Sequence, residues 1–209
     1  MTEPSLGTRL ALVLLPVCAF AAPMNIERGA AIYAICGACH GARGEGIESL
    51  SAPPLAGQQA PYLLRQLEHF HAGVRPSKED IQAQEMRHIL TTVSKEDDWQ
   101  SVIAFVKTLP GTRQREAFDG DIARGREIYA SCAACHGAAG QGNEALEAPN
   151  LSVLPAWYVR SQLEKYRDGL RGGSAGDRPG NRMRAIAVTL HSDADVAAVT
   201  AYIVNAIPR

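Results

Sequence analysis

Cys36-Gly37-Ala38-Cys39-His40 and Cys132-Ala133-Ala134-Cys135-His136 are two copies of the pattern C-x-x-C-H, set 96 positions apart. On a helix, thiols three residues apart share one face. Both can add to the vinyl groups along one edge of a porphyrin, and the histidine after the second thiol is carried under the ring to the iron. The pattern is the attachment site of c-type haem. Two copies predict two covalently bound haem c groups, held by Cys36, Cys39, Cys132 and Cys135, with His40 and His136 as iron ligands. Other uses of paired cysteines fit poorly. A four-thiolate zinc site joins its pairs through roughly 15–20 residues, whereas more than 90 intervene here. A thioredoxin-like dithiol needs a neighbouring βαβ pattern, and none is visible. A disulfide framework needs many cysteines in a small domain, and this chain of 209 residues has five.

The fifth, Cys18, lies in a segment expected to be removed. Residues 1–22 have the features of a secretory signal peptide: Arg9, then the apolar run from Leu10 to Val17, then Ala19-Phe20-Ala21 as an A-x-A cleavage site. The apolar stretch is shorter than the roughly 20 residues that span a bilayer, so the mature protein is expected to be exported to a bacterial periplasm, with at most peripheral membrane association. The formal net charge of −1 offers no basis for attraction to nucleic acid.

Aligning the two haem motifs brings the rest of the chain into register, which is the signature of an internal repeat. Asn25 matches Asp121, both good helix N-caps. Arg28-Gly29, Tyr33, Pro53, Leu55 and Tyr62 match Arg124-Gly125, Tyr129, Pro149, Leu151 and Tyr158 at an offset of 96. Gln66-Leu67-Glu68, Phe70, Gly73 and Arg75 match Gln162-Leu163-Glu164, Tyr166, Gly169 and Arg171 at the same offset. One inserted residue then shifts the offset to 97, pairing Met86-Arg87 with Met183-Arg184 and Phe105 with Tyr202.

Apolar residues recur at helical intervals, and no segment sustains strand alternation. The reading is an all-α protein of two tandem domains, 23–110 and 121–209, joined by a linker at 111–120. A closing helix is expected in each copy, opened by Ser94 or Ser192. Their apolar faces are Trp99, Val102, Ile103 and Val106 in the first and Val196, Val199, Ile203 and Ala206 in the second. Gly29 and Gly125 sit inside helices, where glycine costs roughly 0.5–1 kcal/mol against alanine. Their recurrence predicts a close crossing of the first and last helices near Phe105 and Tyr202. Domains of this size have thin cores, which a buried porphyrin would fill.

The second axial ligand must come from elsewhere, and a ligand used by both domains should occupy matching positions. His69 matches Lys165, His71 matches Arg167, His88 matches Ala185, and His191 matches Ser94. Only Met86 and Met183 pair, with His88 a rival in the first domain. A thioether opposite an imidazole favours ferrous iron, and a six-coordinate iron has no position left for oxygen or peroxide. The glycine-rich segments 41–46 and 137–142 lead to Pro53 and Pro149, where a backbone carbonyl can accept the free N–H of the haem histidine.

Together these features resemble the dihaem class I cytochromes c of the cytochrome c4 type, from Asn25 to about Ile207. The carriers are the paired C-x-x-C-H-G motifs, the Pro-x-Leu segments, Leu55-Ala56-Gly57-Gln58 before Tyr62, Gln66-Leu67…Phe70…Gly73-x-Arg75, and the Met86 and Met183 segments. The resemblance implies that Pro53 and Pro149 supply the carbonyls that accept from His40 and His136, and that two domains pack about a pseudo-twofold axis. It also implies an electron carrier rather than an enzyme, passing electrons to redox partner proteins such as a terminal oxidase, a cytochrome complex or a dehydrogenase. The alternatives are a haem subunit of a larger dehydrogenase or oxidase complex, and a dihaem peroxidase, against which the paired methionines argue. The chain departs from the pattern at Ser152-Val153-Leu154, where the first copy has Ala56-Gly57-Gln58, and in the charged run before Met86.

Overall fold

The computed structural model describes residues 25–75, 78–111 and 117–207. The segment expected to be a signal peptide lies outside these residues, as does 112–116 within the expected linker. Among the described residues eight α-helices follow one another: α1 (Ile26–His40), α2 (Ala60–His71), α3 (Ile81–Ile89), α4 (Glu96–Val106), α5 (Ile122–His136), α6 (Ala156–Arg167), α7 (Arg178–Ala187) and α8 (Asp193–Ala201). The only β pairing among the described residues is one isolated bridge per repeat, Ile47 with Ala52 and Asn143 with Ala148. The fold is all-helical, with two tandem copies of one four-helix unit.

The helices that carry the haem motifs begin and end for matching reasons. Asn25 accepts from the Arg28 backbone N–H, and Asp121 accepts from that of Arg124, each at 2.9 Å. Both helices stop at the motif histidine, because Gly41 and Gly137 take φ of 83° and 79°, a region that L-residues avoid. The crossings expected at Gly29 and Gly125 are present. A Cβ on Gly29 would collide with the Ser101 carbonyl oxygen, and one on Gly125 with that of Ala198. Contact this close brings Tyr33 against Phe105 and Tyr129 against Tyr202, with ring centroids 5.2 and 5.3 Å apart. Arg28 pairs with Asp98, and Arg124 with Asp195, across the same crossings.

Two expectations for the closing helices need correction. The N-cap of α4 is Lys95, not Ser94, and no side chain caps it; Glu96, Asp97 and Asp98 fill the first turn instead, where acidic groups favour the helix dipole. Ser192 does cap α8, accepting from the Asp195 N–H. The second closing helix also ends in a π-helical turn, Tyr202–Ala206, with the Ile207 N–H donating to the Tyr202 carbonyl. That extra residue advances the phase, so Ile207 rather than Ala206 becomes the buried end of the face. Ile207 approaches Gly140 as Leu109 approaches Gly44 in the first copy.

The two copies meet through side chains of α2 and α6 and the loops that follow them, in reciprocal pairs. Arg75 donates to its own Gln66 (2.7 Å) and to Gln162 of the other domain (3.1 Å). Arg171 donates to its own Gln162 (2.7 Å) and to Gln66 (3.0 Å). Matched residues meeting their counterparts define a pseudo-twofold relation. The contacts that break it lie where the repeat diverges. Gln58 clasps Asn150 through both its amide atoms, at 3.0 and 2.8 Å, and Gly57 admits the Val153 side chain. The Ser152-Val153-Leu154 departure is therefore part of the domain contact.

Candidate haem centres

His40 and His136 end their helices in the interior, 8 and 7 % exposed. His40 Nδ1 lies 2.7 Å from the Pro53 carbonyl oxygen, and His136 Nδ1 lies 3.0 Å from that of Pro149. A carbonyl can only accept, so Nδ1 carries the proton and the Nε2 lone pair is left for a metal. Burial holds both imidazoles below their ordinary pKa, against the opposing hydrogen bond to proline, so they stay neutral as a ligand must.

Each loop is locked to its helix end. Gly46 and Gly142 donate back to the His40 and His136 carbonyls at 2.8 Å, and the Tyr33 and Tyr129 hydroxyls donate to the Gly41 and Gly137 carbonyls at 2.7 Å. The four motif cysteines are free thiols. In each pair one is partly buried (Cys36, Cys132), with burial raising its pKa, and the other is exposed (Cys39, Cys135).

Met86 lies on the inner face of α3, packed with Leu67 against Phe70, Ala83 and Leu90. Leu67 also touches the cluster that contains Cys36, which places the methionine and the haem motif around one core. Met183, on α7, joins the second core together with Cys132 and Ala133. His88 is exposed, because two residues of helix rotate it about 200° from Met86. His71 packs on Trp99, and His191 is exposed. The histidines other than His40 and His136 are thus turned outward, except His69, which lies at the domain contact.

The paired arginines were legible as repeats but not as part of a candidate site. Arg75 and Arg171 are buried and stack on Phe70 and Tyr166, each 4.6 Å from the ring centroid. The Nε of each has no hydrogen-bond partner. Buried guanidiniums with an unused N–H suit an anionic edge such as a porphyrin's propionates. With free thiols, neutral imidazoles and inward thioethers, the donor set fits haem c in both halves.

The profile of the cytochrome c family matches twice, over residues 26–110 and 122–206. The chain belongs to the cytochrome c family. It is similar to cytochrome c4 of Azotobacter vinelandii, 33% identical over 180 residues that make up 81% of this chain and 83% of that one. A thiosulfate dehydrogenase electron acceptor of Stutzerimonas stutzeri (strain A1501) is also 33% identical, over 81% of this chain and 78% of its own length. The crystal structure of reduced recombinant cytochrome c4 from Pseudomonas stutzeri aligns with a TM-score of 0.69 at 28% identity, over 86% of this chain and 97% of that one. Within the family the chain is of the dihaem c4 type, a group of electron carriers rather than enzymes. Its two cytochrome c domains, each with a C-x-x-C pair, imply two haem c.

Proposed function

We propose that the chain is an exported periplasmic carrier with two His/Met haems. Residues 1–22 are removed, and domains 23–110 and 121–209, joined by 111–120, each hold one haem. Cys36, Cys39, Cys132 and Cys135 form the thioether bonds, His40 and Met86 bind the first iron, and His136 and Met183 bind the second. The bound iron supplies one-electron chemistry, at a potential that the thioether raises. Pro53 and Pro149 orient the imidazoles, Met86 and Met183 would complete the iron's ligands, and the buried Arg75 and Arg171 would hold the propionates. Among the described residues no helix is long and apolar enough to cross a membrane, which is compatible with a carrier free to meet redox proteins.

The observation that carries this reading is the duplicated histidine-to-proline hydrogen bond beside a free cysteine pair. The mass of the intact mature protein tests it. The polypeptide from residue 23 onward plus two covalent haems is expected, and Cys36→Ala with Cys39→Ala removes one. A single haem, or haem extracted without breaking thioether bonds, would overturn it.

A more specific role as acceptor for a thiosulfate-oxidising enzyme draws support from the similarity to the Stutzerimonas acceptor. Co-purification from periplasm and membranes separates the two: a carrier elutes alone, an acceptor subunit with its dehydrogenase.

A further inference from the structure

Each methionine helix starts with an aspartate, and each aspartate touches the other domain. Asp80 caps α3 by accepting from the Ala83 N–H at 3.2 Å, and the same Oδ1 lies 2.6 Å from Lys165 Nζ on α6. Asp177 caps α7 by accepting from the Gly180 N–H at 2.8 Å, and the same Oδ1 lies 3.6 Å from His69 Nδ1 on α2. Asp80 and Asp177 are buried, at 2 and 6 % exposed. Lys165 and His69 occupy matching positions in the repeat, as do Asp80 and Asp177. The pseudo-twofold therefore places two crossed clamps on matching residues, a hydrogen-bonded ion pair at Asp80 and a looser contact at Asp177, where His69 Nδ1 makes no hydrogen bond.

A capping carboxylate fixes the first turn of its helix by filling unpaired N–H groups. Each clamp sits two turns or less from its methionine, Asp80 before Met86 and Asp177 before Met183. A helix this short, 9 residues for α3 and 10 for α7, has little hold of its own, so its position depends on its ends. We infer that Lys165 and His69 are positioning residues for the iron ligand of the opposite domain: Lys165 holds Met86 through Asp80, and His69 holds Met183 through Asp177. This rests on the reading of both methionines as ligands.

The two clamps respond differently to pH. Lys165 faces Asp80 and the Gln82 amide oxygen. His69 faces Asp177 and Arg171 from the second domain and Arg65 and Glu68 from its own helix. Burial first, with the two guanidiniums, holds its pKa below the ordinary 6.5 against the pull of both carboxylates. The docked interface thus prefers the neutral ring, and by linkage a protonated ring disfavours docking. Acidification below about 6.5 should loosen the docking around His69, and with it the hold on the Met183 helix.

The test uses the dihaem protein in its reduced state, where the methyl group of an iron-bound methionine gives a separate NMR signal for each haem. Met86→Ala and Met183→Ala assign the two signals; if neither signal disappears, the ligation reading fails and not the clamps. Given that assignment, Lys165→Met should perturb the Met86 signal and make that methionine about tenfold easier to displace by an external ligand, the size of a lost hydrogen bond between charged groups. His69→Gln should do the same to Met183 alone and remove its response to acid. Asp80→Asn and Asp177→Asn, which keep the cap acceptor, should reproduce the two effects. Variants that act on the methionine of their own domain, or on neither, would overturn the inference, as would an acid response of Met86 equal to that of Met183.

Discussion

The Arg171 guanidinium donates to the Tyr62 hydroxyl, 3.2 Å away across the domain boundary and 109 positions earlier in the chain. Together with Gln66 and Gln162 it forms a buried polar network. Arg171→Leu would leave both glutamine oxygens with a donor fewer and is expected to destabilise the protein by about 2–4 kcal/mol. Arg171→Lys should fail to restore it, because an ammonium cannot reproduce the planar fork. Denaturant unfolding measures both, and an unchanged midpoint in the leucine variant would contradict the network's role.

Gly125→Ala sets helix propensity against sterics. In an open helix alanine gains up to roughly 1 kcal/mol, but here its methyl meets the backbone carbonyl of Ala198. Overpacking against backbone costs about 1–3 kcal/mol or more, so a lower melting temperature is expected, and Gly29→Ala should behave alike. A stabilised variant would mean that the crossing can open freely.

Alkaline stability should depend on two phenols. Burial pushes Tyr33 and Tyr129 up to about 12 from 10.0. Between those values the unfolded chain has released protons that the native state keeps, so stability is full below pH 10.0, falls above it, and is lost towards pH 12. Absorbance of tyrosinate during titration follows this directly. Tyr33→Phe should blunt the alkaline loss while costing about 1 kcal/mol at neutral pH for the bond to Gly41.

His88→Ala should leave both haems six-coordinate, since His88 points to solvent. Met86→Ala should abolish one thioether-to-iron charge-transfer band and let exogenous ligands bind. A high-spin haem appearing in the histidine variant would instead make the first domain bis-histidine.

The helix framework and the candidate site were legible because the repeat compares the chain with itself. A methionine alone is unremarkable, but Met86 opposite Met183 singles out two residues, and both lie inward. Gly29 opposite Gly125 foretold a crossing for the same reason. Features private to one copy had no such control. Lys95 lies where Ser192 lies in the second copy, and the serine one place earlier was the better-looking cap. The π turn at Tyr202–Ala206 leaves a helical pattern intact up to its last residue, so only packing reveals Ile207. The domain contact is made by side chains more than 80 positions apart, such as Lys165 and Asp80, which no local period encodes.

The reciprocal arginine–glutamine contacts have an implication for ancestry. Arg75 on Gln162 and Arg171 on Gln66 are one contact drawn twice, the arrangement of two identical chains that associate face to face. A shorter haem protein that paired with itself through this surface would have needed only a duplication and a connecting segment to become this chain. Once the halves were joined, each position existed in two independent versions. Lysine and histidine at one such pair, and glycine and valine at another, record how far two copies of a single surface have since specialised against each other.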